Sequence, residues 1–212
     1  MTRSQLFVIA AALTASIGAP VSAQSARMTL RPESKVLLAG GSNVHDWACN
    51  SSAFNATIEL DSIYQSTPLT AVAKPITTAV VTIPVRSLKC GNGKMDNNLY
   101  KALKADEFPD IKYVLGTYEV TKGLSTADAF AALTVGELTV AGKTTKVEIP
   151  ITATRKTGGT MTGKGTVKLQ MTDFGVKPPV ALMGMLHTRN EIEVTFQVIL
   201  DRTIVVALTQ QP

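Results

Sequence analysis

Strict alternation of apolar and polar side chains is the strongest pattern in this sequence. Four segments follow it, at residues 54–61, 146–154, 160–170 and 191–201. Alternation of this kind is typical of β-strands with one apolar and one wet face, because successive side chains point to opposite sides. Further strands are predicted at residues 35–40, 79–85, 111–120 and 130–141. Residues 202–208 could extend the last strand or form a loose tail.

One segment has a helical period instead. Its apolar stripe consists of Met95, Leu99, Ala102 and Leu103. Asp96 lies early in the segment, and Lys101 and Lys104 lie late, which suits the helix dipole. Pro109 blocks continuation of a helix. We predict one short amphipathic helix at about residues 96–105.

The number and spacing of the strands favour a closed barrel. The stretches AGKTT and KTGG are typical of hairpin turns between strands. Closure removes the exposed edges that an open antiparallel sheet would leave. We therefore predict an all-β fold, an antiparallel β-barrel of about eight strands with one short helix.

Small residues on the apolar faces bear on whether the barrel is hollow. They are Ala56, Ala153, Gly163 and Gly165. They leave space that larger side chains would fill, although glycines also serve bends and bulges. The stretch VKPPVALMGMLH, residues 176–187, is either a flap over a barrel mouth or a loop whose apolar side chains tuck under the barrel. The sequence leaves a hollow and a filled barrel both open.

Residues 1–23 have the parts of a secretory signal peptide. Arg3 gives a positive start, an apolar run follows at residues 6–17, and small residues lead up to Ala23. The apolar run is too short to span a bilayer as a helix. We predict cleavage after Ala23 and a periplasmic or secreted protein with one domain, residues 24–212.

Export changes how the two cysteines are interpreted. In an oxidising compartment, Cys49 and Cys90 are expected to form a disulfide rather than to remain reactive thiols.

The formal net charge is +5, and loss of Arg3 with the leader lowers it by one. The basic residues are scattered singly and are not interleaved with aromatic residues, so nucleic-acid binding is not predicted.

The stretch GGSNVHDWACNSS contains three chemically capable side chains, His45, Asp46 and Cys49. A hydrolase would need a nucleophile beside a base, but only His45 and His187 could be an imidazole base, and no Gly-x-Ser-x-Gly motif is present. A metal site could recruit both histidines and Asp46, yet His45 and Asp46 point to opposite faces of a regular strand. We predict no catalytic residues, no metal and no cofactor.

The order of these features resembles the YceI-like lipid/polyisoprenoid-binding family along nearly the whole mature chain. The matching pieces are SNVHDW, VTIPVRSLKCG, FPDIKY after the helix, GELTVAGKTTKVEIPI and MTDFGV. The most specific combination is LTVAGKTTKVEIPI with DFGV downstream. The HDW step and the cysteine pair depart from the usual pattern of the family, which puts the identity of the ligand in doubt more than the fold.

The resemblance implies a lipocalin-like barrel around an apolar tunnel that holds a long isoprenoid or other amphipathic lipid. It implies an exported, non-catalytic binding or carrier protein. The predicted lining residues are His45, Trp47, Phe54, Ile58, Tyr113, Leu115, Val147, Ile149, Val167, Phe174, Met183, Val194 and Phe196. His45 and Trp47 share one strand face and could offer a donor and an aromatic wall at the mouth.

Two other functions remain open at this stage. One is a metal- or redox-linked periplasmic binding protein that uses His45 and His187. The other is an all-β structural or interaction domain whose barrel is filled. The positive charge leaves a transient contact with a membrane surface open. The oligomeric state is not predicted.

Overall fold

The structure is a computed structural model that describes residues 25–61, 74, 76–122, 129–155, 160–181, 183 and 185–205. The predicted signal peptide, the KTGG turn and residues 206–208 of the predicted tail lie outside these residues. The strands are β1 (Ser25–Leu30), β2 (Lys35–Ser42), β3 (Asp46–Ser51), β4 (Asn55–Leu60), β5 (Ile76–Pro84), β6 (Asp110–Lys122), β7 (Ala129–Val140), β8 (Lys143–Arg155), β9 (Met161–Gln170), β10 (Val180–Ala181) and β11 (Leu186–Val205). The helix α1 is Gly93–Ala102.

The strands close into one antiparallel barrel with eight positions around its wall. Two of these positions are each occupied by two strands that follow one another in the chain. Strands β1 and β2 share the position beside β11, because both pair with it. Strands β4 and β3 share the next position, because β4 pairs with β1 and β3 pairs with β2. From β4 the order continues through β5, β6, β7, β8 and β9 to β11. The pairing of β1 with β11 completes the ring. The predicted all-β antiparallel barrel with one short helix is confirmed.

Strand β8 shows why alternation was informative. Val147, Ile149 and Ala153 are buried and Ile151 is half-buried, whereas Glu148, Pro150 and Thr152 are exposed. The β7–β8 hairpin turn also lies where the AGKTT stretch predicts it. Its central residues Ala141 and Gly142 both have positive φ, of 49° and 81°. These values suit the tight turn that joins two twisted antiparallel strands.

The first strand, β1, was not predicted from the sequence. Among residues 27–30, the part of this strand whose side chains are described, only Met28 is deeply buried, so alternation alone does not distinguish the strand from a loop. Its position is fixed by pairing on both sides, with β11 and β4. The strand therefore depends on partners that are far away in the chain.

The helix begins and ends about three residues earlier than predicted. Asn92 is its N-cap, because its side-chain oxygen accepts a hydrogen bond from the backbone N–H of Met95 at 2.9 Å. Asp96 accepts a hydrogen bond from the backbone N–H of Cys90 at 2.7 Å, which fixes the chain just before the helix. The helix ends at Ala102, and Lys104 then adopts a positive φ of 52°.

The two ends of the barrel differ. The β2–β3 turn, the helix, the β7–β8 turn and the connection from β9 to β11 all lie at one end, which we call the mouth. Near the opposite end, Met28, Leu60 and Leu200 form a buried apolar cluster. A larger cluster extends from the barrel to the helix and the β9–β11 connection and includes Tyr100 and Phe174. None of the helices in the described part of the chain is long and apolar enough to cross a membrane.

Candidate binding cavity

The barrel encloses a cavity of about 810 Å³. Its lining runs from Ile76 and Leu200 near the end opposite the mouth to Val180 and Leu186 at the mouth. Most of the lining side chains are apolar, as alternation on the inner strand faces requires. The volume is in the range of small-molecule binding sites, so the described barrel is hollow.

Aromatic side chains of the wall lie over glycines of neighbouring strands. The pairs are Trp47 over Gly40, Tyr113 over Gly136 and Phe196 over Gly165. A β-carbon added at any of these glycines would come closer than 3.0 Å to the ring. The missing side chain thus lets each ring pack against the wall, as in the aromatic rescue of glycine in sheets. The predicted role of Gly165 as open space is therefore only partly right, because Phe196 covers it.

Eleven of the thirteen predicted lining residues do line the cavity. They are His45, Trp47, Phe54, Ile58, Tyr113, Leu115, Ile149, Val167, Phe174, Val194 and Phe196. Their contact with a ligand stays a prediction. Ala56, Ala153 and Gly163, the small residues that indicated space, are also part of the lining.

The other two predicted residues, Val147 and Met183, lie elsewhere. Val147 is buried in the large apolar cluster that also contains Phe174 and Val176, rather than at the cavity surface. Alternation predicts the face of a strand but not the depth at which other elements cover it. Met183 is fully exposed to solvent, with a backbone φ of 53°.

The connection from β9 to β11 combines both interpretations of VKPPVALMGMLH. Val176 is buried, and with Pro179, Val180 and Leu186 it lines the cavity at the mouth. Val180 and Met185 are nevertheless largely exposed. The segment both covers part of the barrel and presents apolar side chains to solvent.

The helix contributes to the cavity, which was not predicted from the sequence. Met95, Asn98, Leu99, Lys101 and Ala102 all belong to the lining. The apolar stripe of the helix was visible in the sequence, and an amphipathic helix needs an apolar surface to cover. The apolar stripe therefore indicated that the helix covers another surface, but the sequence did not identify that surface as the mouth of the barrel.

His45 and Asp46 point in different directions, as strand geometry predicts. His45 is solvent-exposed at the mouth and lines the cavity together with half-buried Trp47. Asp46 lies outside the lining and approaches Arg189 at 3.9 Å. His187 is exposed and is not part of the lining either. Within the described residues, no three His, Cys, Asp or Glu side chains are grouped so that they could hold a metal ion.

The predicted disulfide between Cys49 and Cys90 is present. It joins residues that are 41 positions apart and ties strand β3 to the segment that leads into the helix. Both cysteines line the cavity, and Cys49 is fully buried. The bond therefore fixes the helical cover to the barrel wall.

Tyr100 holds the same segment from the helix side. Its hydroxyl lies 2.9 Å from the Leu88 carbonyl oxygen and 3.0 Å from the Arg86 carbonyl oxygen, and it can donate its proton to either. It also accepts a hydrogen bond from the Lys89 ammonium at 2.8 Å. This hydrogen bond is the main reason why the pKa of Lys89 is raised. The helix is thus attached by a disulfide and by a buried hydroxyl.

One pair of hydrogen-bonded polar side chains, Tyr113 and Thr134, lies within the mostly apolar wall. The Tyr113 hydroxyl donates to Thr134 Oγ1 at 3.3 Å, and Thr134 Oγ1 donates to the Ile149 carbonyl oxygen at 2.9 Å. Burial raises the pKa of Tyr113, and the hydrogen bond to Thr134 opposes that rise. Tyr113 is therefore a neutral hydroxyl whose oxygen can still accept a hydrogen bond.

The charged groups of the lining are all cationic. Lys101 on the helix and Lys177 on the β9–β11 connection line the cavity, and no Asp or Glu does so in the described part of the chain. Neither lysine lies within ion-pair distance of a described carboxylate. The site therefore favours a ligand with a negative or dipolar group near these lysines and an apolar part along the wall.

Comparison with known proteins agrees with this architecture. The YceI-like domain profile matches residues 39–200. No curated protein matches the chain. Several solved structures share the fold, and because the identities of the three described next are low, they bear on the fold alone.

The first is BcnA of Burkholderia cenocepacia, with 17% identity and a TM-score of 0.52 over 83% of this chain and 95% of that chain. The second is a YceI protein of Campylobacter jejuni, with 20% identity and a TM-score of 0.55 over 71% of this chain and 82% of that chain. The third is a polyisoprenoid binding domain from Saccharophagus degradans that is implicated in plant cell wall breakdown. It has 10% identity and a TM-score of 0.57 over 86% of this chain and all (100%) of that chain.

Proposed function

This chain belongs to the YceI-like family, and on that premise we propose that it is a binding or carrier protein for an isoprenoid or another long-chain amphipathic lipid. The apolar chain of the lipid lies inside the barrel, and its head group lies at the mouth. The protein holds the lipid without transforming it. The similar fold of a polyisoprenoid binding domain supports this class of ligand.

The observation that carries the proposal is the cavity of about 810 Å³, with an apolar wall along the barrel and an apolar cluster near one end. An elongated apolar space that opens at the mouth suits a ligand that has a long apolar chain and a polar end. Lys101, Lys177 and His45 are among the polar groups of the lining at the mouth, where that end lies. The polar groups deeper in the wall are engaged, since Thr134 bonds to Ile149 and the cysteines to each other.

Lipid extraction of protein purified from its own host, followed by mass spectrometry, tests the proposal. We expect a long-chain lipid at close to one molecule per chain. A plugged variant, Ala79→Trp, places a large ring into the lumen and should carry at least tenfold less lipid, since an overfilled interior cannot also hold a chain. The matched control is Val114→Trp, because Val114 faces outward on the neighbouring strand β6. Equal lipid content in both variants, or none in the unaltered protein, would refute the carrier function.

We also propose that the protein is exported and that its leader is removed after Ala23. The pattern of residues 1–23 supports this proposal. N-terminal sequencing of the protein from the extracytoplasmic fraction should begin at Gln24. An intact leader on protein found only in the cytoplasm would contradict it.

A further inference from the structure

Exposed apolar side chains are concentrated at the mouth of the barrel. Among the described residues, six large apolar side chains are exposed, and four of these belong to the two loops at the mouth. The four are Val44 (67% exposed), Val180 (63%), Met183 (106%) and Met185 (73%), which we call the apolar rim. The other two, Leu37 and Val114, lie on the barrel wall and are only 40% and 36% exposed. Apolar exposure that is grouped at one end of a protein in this way is typical of an interaction surface.

Hydrogen bonds join the two loops that carry the rim. The Asn43 side chain donates to the Met185 carbonyl oxygen at 2.8 Å and accepts from the His187 backbone N–H at 3.0 Å. The Asn43 backbone N–H also donates to the His187 carbonyl oxygen at 3.1 Å. Ser42 Oγ accepts from the Val44 backbone N–H at 3.2 Å, which shapes the other loop. The rim is therefore one platform rather than two independent loops.

Lysines lie on two sides of this platform. Lys177 lies three residues before Val180, and both line the cavity, as does Lys101 on the opposite, helical side of the mouth. The carboxylate of Asp46, which is close to Val44 in the chain, is 3.9 Å from Arg189 and partly offset by it. Apolar tips among lysines are the combination that binds an anionic bilayer surface, because insertion and charge attraction add.

We propose that the apolar rim docks on an anionic lipid bilayer, with the mouth of the barrel facing the membrane. This inference rests on the proposed function, because docking gives a long-chain lipid a route between bilayer and cavity that avoids water. Val180 is both a rim residue and a lining residue, so the inserted surface and the cavity are continuous. Methionine side chains suit such a contact, since they are flexible and apolar.

Flotation with vesicles tests docking directly. The purified protein is mixed with vesicles of equal parts phosphatidylglycerol and phosphatidylcholine, and separately with vesicles of phosphatidylcholine alone. We expect clear co-flotation with the anionic vesicles only, and about a fivefold loss of binding for Lys177→Gln. The double variant Met183→Asp, Met185→Asp should lose binding tenfold or more, whereas Leu37→Asp on the barrel wall should retain it.

A fluorescent probe shows which surface is in contact. The chain has two cysteines, which are joined to each other, so a new cysteine can be labelled selectively. An environment-sensitive fluorophore at Met183→Cys should shift to the blue on addition of anionic vesicles, while the same label at Leu37→Cys should not. Equal shifts at both sites, or no co-flotation of the unaltered protein, would overturn the proposal.

Two further measurements distinguish membrane docking from dimerisation and from lipid uptake by the cavity alone. If the apolar rim instead joins two copies of the chain, light scattering will show a dimer that the double aspartate variant dissolves, and vesicles will not bind. Uptake of lipid from detergent or ethanol, without vesicles, measures the cavity alone. Normal uptake without vesicle binding would refute docking and leave the carrier function standing, whereas failed uptake would refute the carrier function.

Discussion

The indole ring of Trp47 lies over Gly40, its direct partner across strands β3 and β2, so closely that no β-carbon could be placed between them. Trp47 is the only tryptophan in the chain, and it lines the cavity. The glycine thus determines where this ring sits along the wall. Because the ring is half-buried beside the mouth, its fluorescence reports on the state of the cavity.

Gly40→Ala should therefore displace the ring and destabilise the barrel. Overpacking of this kind costs about 1–3 kcal/mol of unfolding free energy. Urea unfolding should show that loss, and Trp47 emission should change in the folded protein. Gly93→Ala is the matched control, because a β-carbon there meets nothing within 4 Å and the residue begins the helix. It should leave emission unchanged and stability equal or slightly higher. Identical behaviour of the two variants would contradict the packing argument.

The Cys49–Cys90 disulfide should contribute about 2–4 kcal/mol to the free energy of unfolding, because it restricts the unfolded chain. Reduction, or the double variant Cys49→Ala and Cys90→Ala, should lower the urea midpoint accordingly. Helical signal should be lost before sheet signal, because the bond anchors the segment leading into the helix. The reductant should have no effect on the double variant, and any effect there would show that it acts elsewhere. If titration finds the same number of free thiols in the unaltered protein before and after reduction, the disulfide is absent.

The strand faces could be predicted from the sequence because burial in a barrel follows residue parity. Ile149 and Val194 illustrate this, since each lines the cavity on the face that alternation indicates. Alternation does not show how deeply a residue is covered by other elements. It therefore predicts Val147 at the cavity surface, although other elements cover this residue. Strand β1 shows the same limit, because its identity comes from pairing with β11 and β4 rather than from its own pattern.

The mouth of the cavity was the least predictable part. Its residues come from loops and a helix. Their positions depend on individual contacts that the periodicity of apolar residues does not predict. The Asn92 cap sets the start of the helix, and the Tyr100 hydroxyl holds it to the carbonyls before it. Lys101 reaches the cavity because these contacts place the helix there, and Lys177 reaches it from the β9–β11 connection. A positive φ at Met183 likewise had no sequence signal, because glycine is the residue expected in that region.

Burial of Tyr113 predicts a stability loss at alkaline pH. Its pKa in the folded protein is raised above the ordinary 10.0, so the folded state holds this proton more tightly than the unfolded state. The contribution to stability is present below pH 10.0 and is lost as the pH rises through the folded pKa. Urea unfolding across this range should show a decline that is smaller in Tyr113→Phe. Absorbance titration should show that this variant lacks a late tyrosinate component. The same decline in both proteins would exclude Tyr113 as its source.

The buried apolar cluster near the end opposite the mouth predicts a limit on ligand length. Each methylene that enters the apolar cavity should contribute about 0.8 kcal/mol, which is about a fourfold gain in affinity per carbon. A series of alkyl phosphates of increasing length, titrated against Trp47 fluorescence, should show this gain until the chain reaches the cluster of Met28, Leu60 and Leu200. Beyond that length the affinity should level off.

Enlarging the cavity near this cluster by Leu200→Ala should move the plateau to longer chains, although the variant will also be less stable by about 2–5 kcal/mol. The control Leu37→Ala, on the outer surface, should leave the plateau where it is. A gain that continues without limit in the unaltered protein would mean that ligands pass through the barrel or bind outside it.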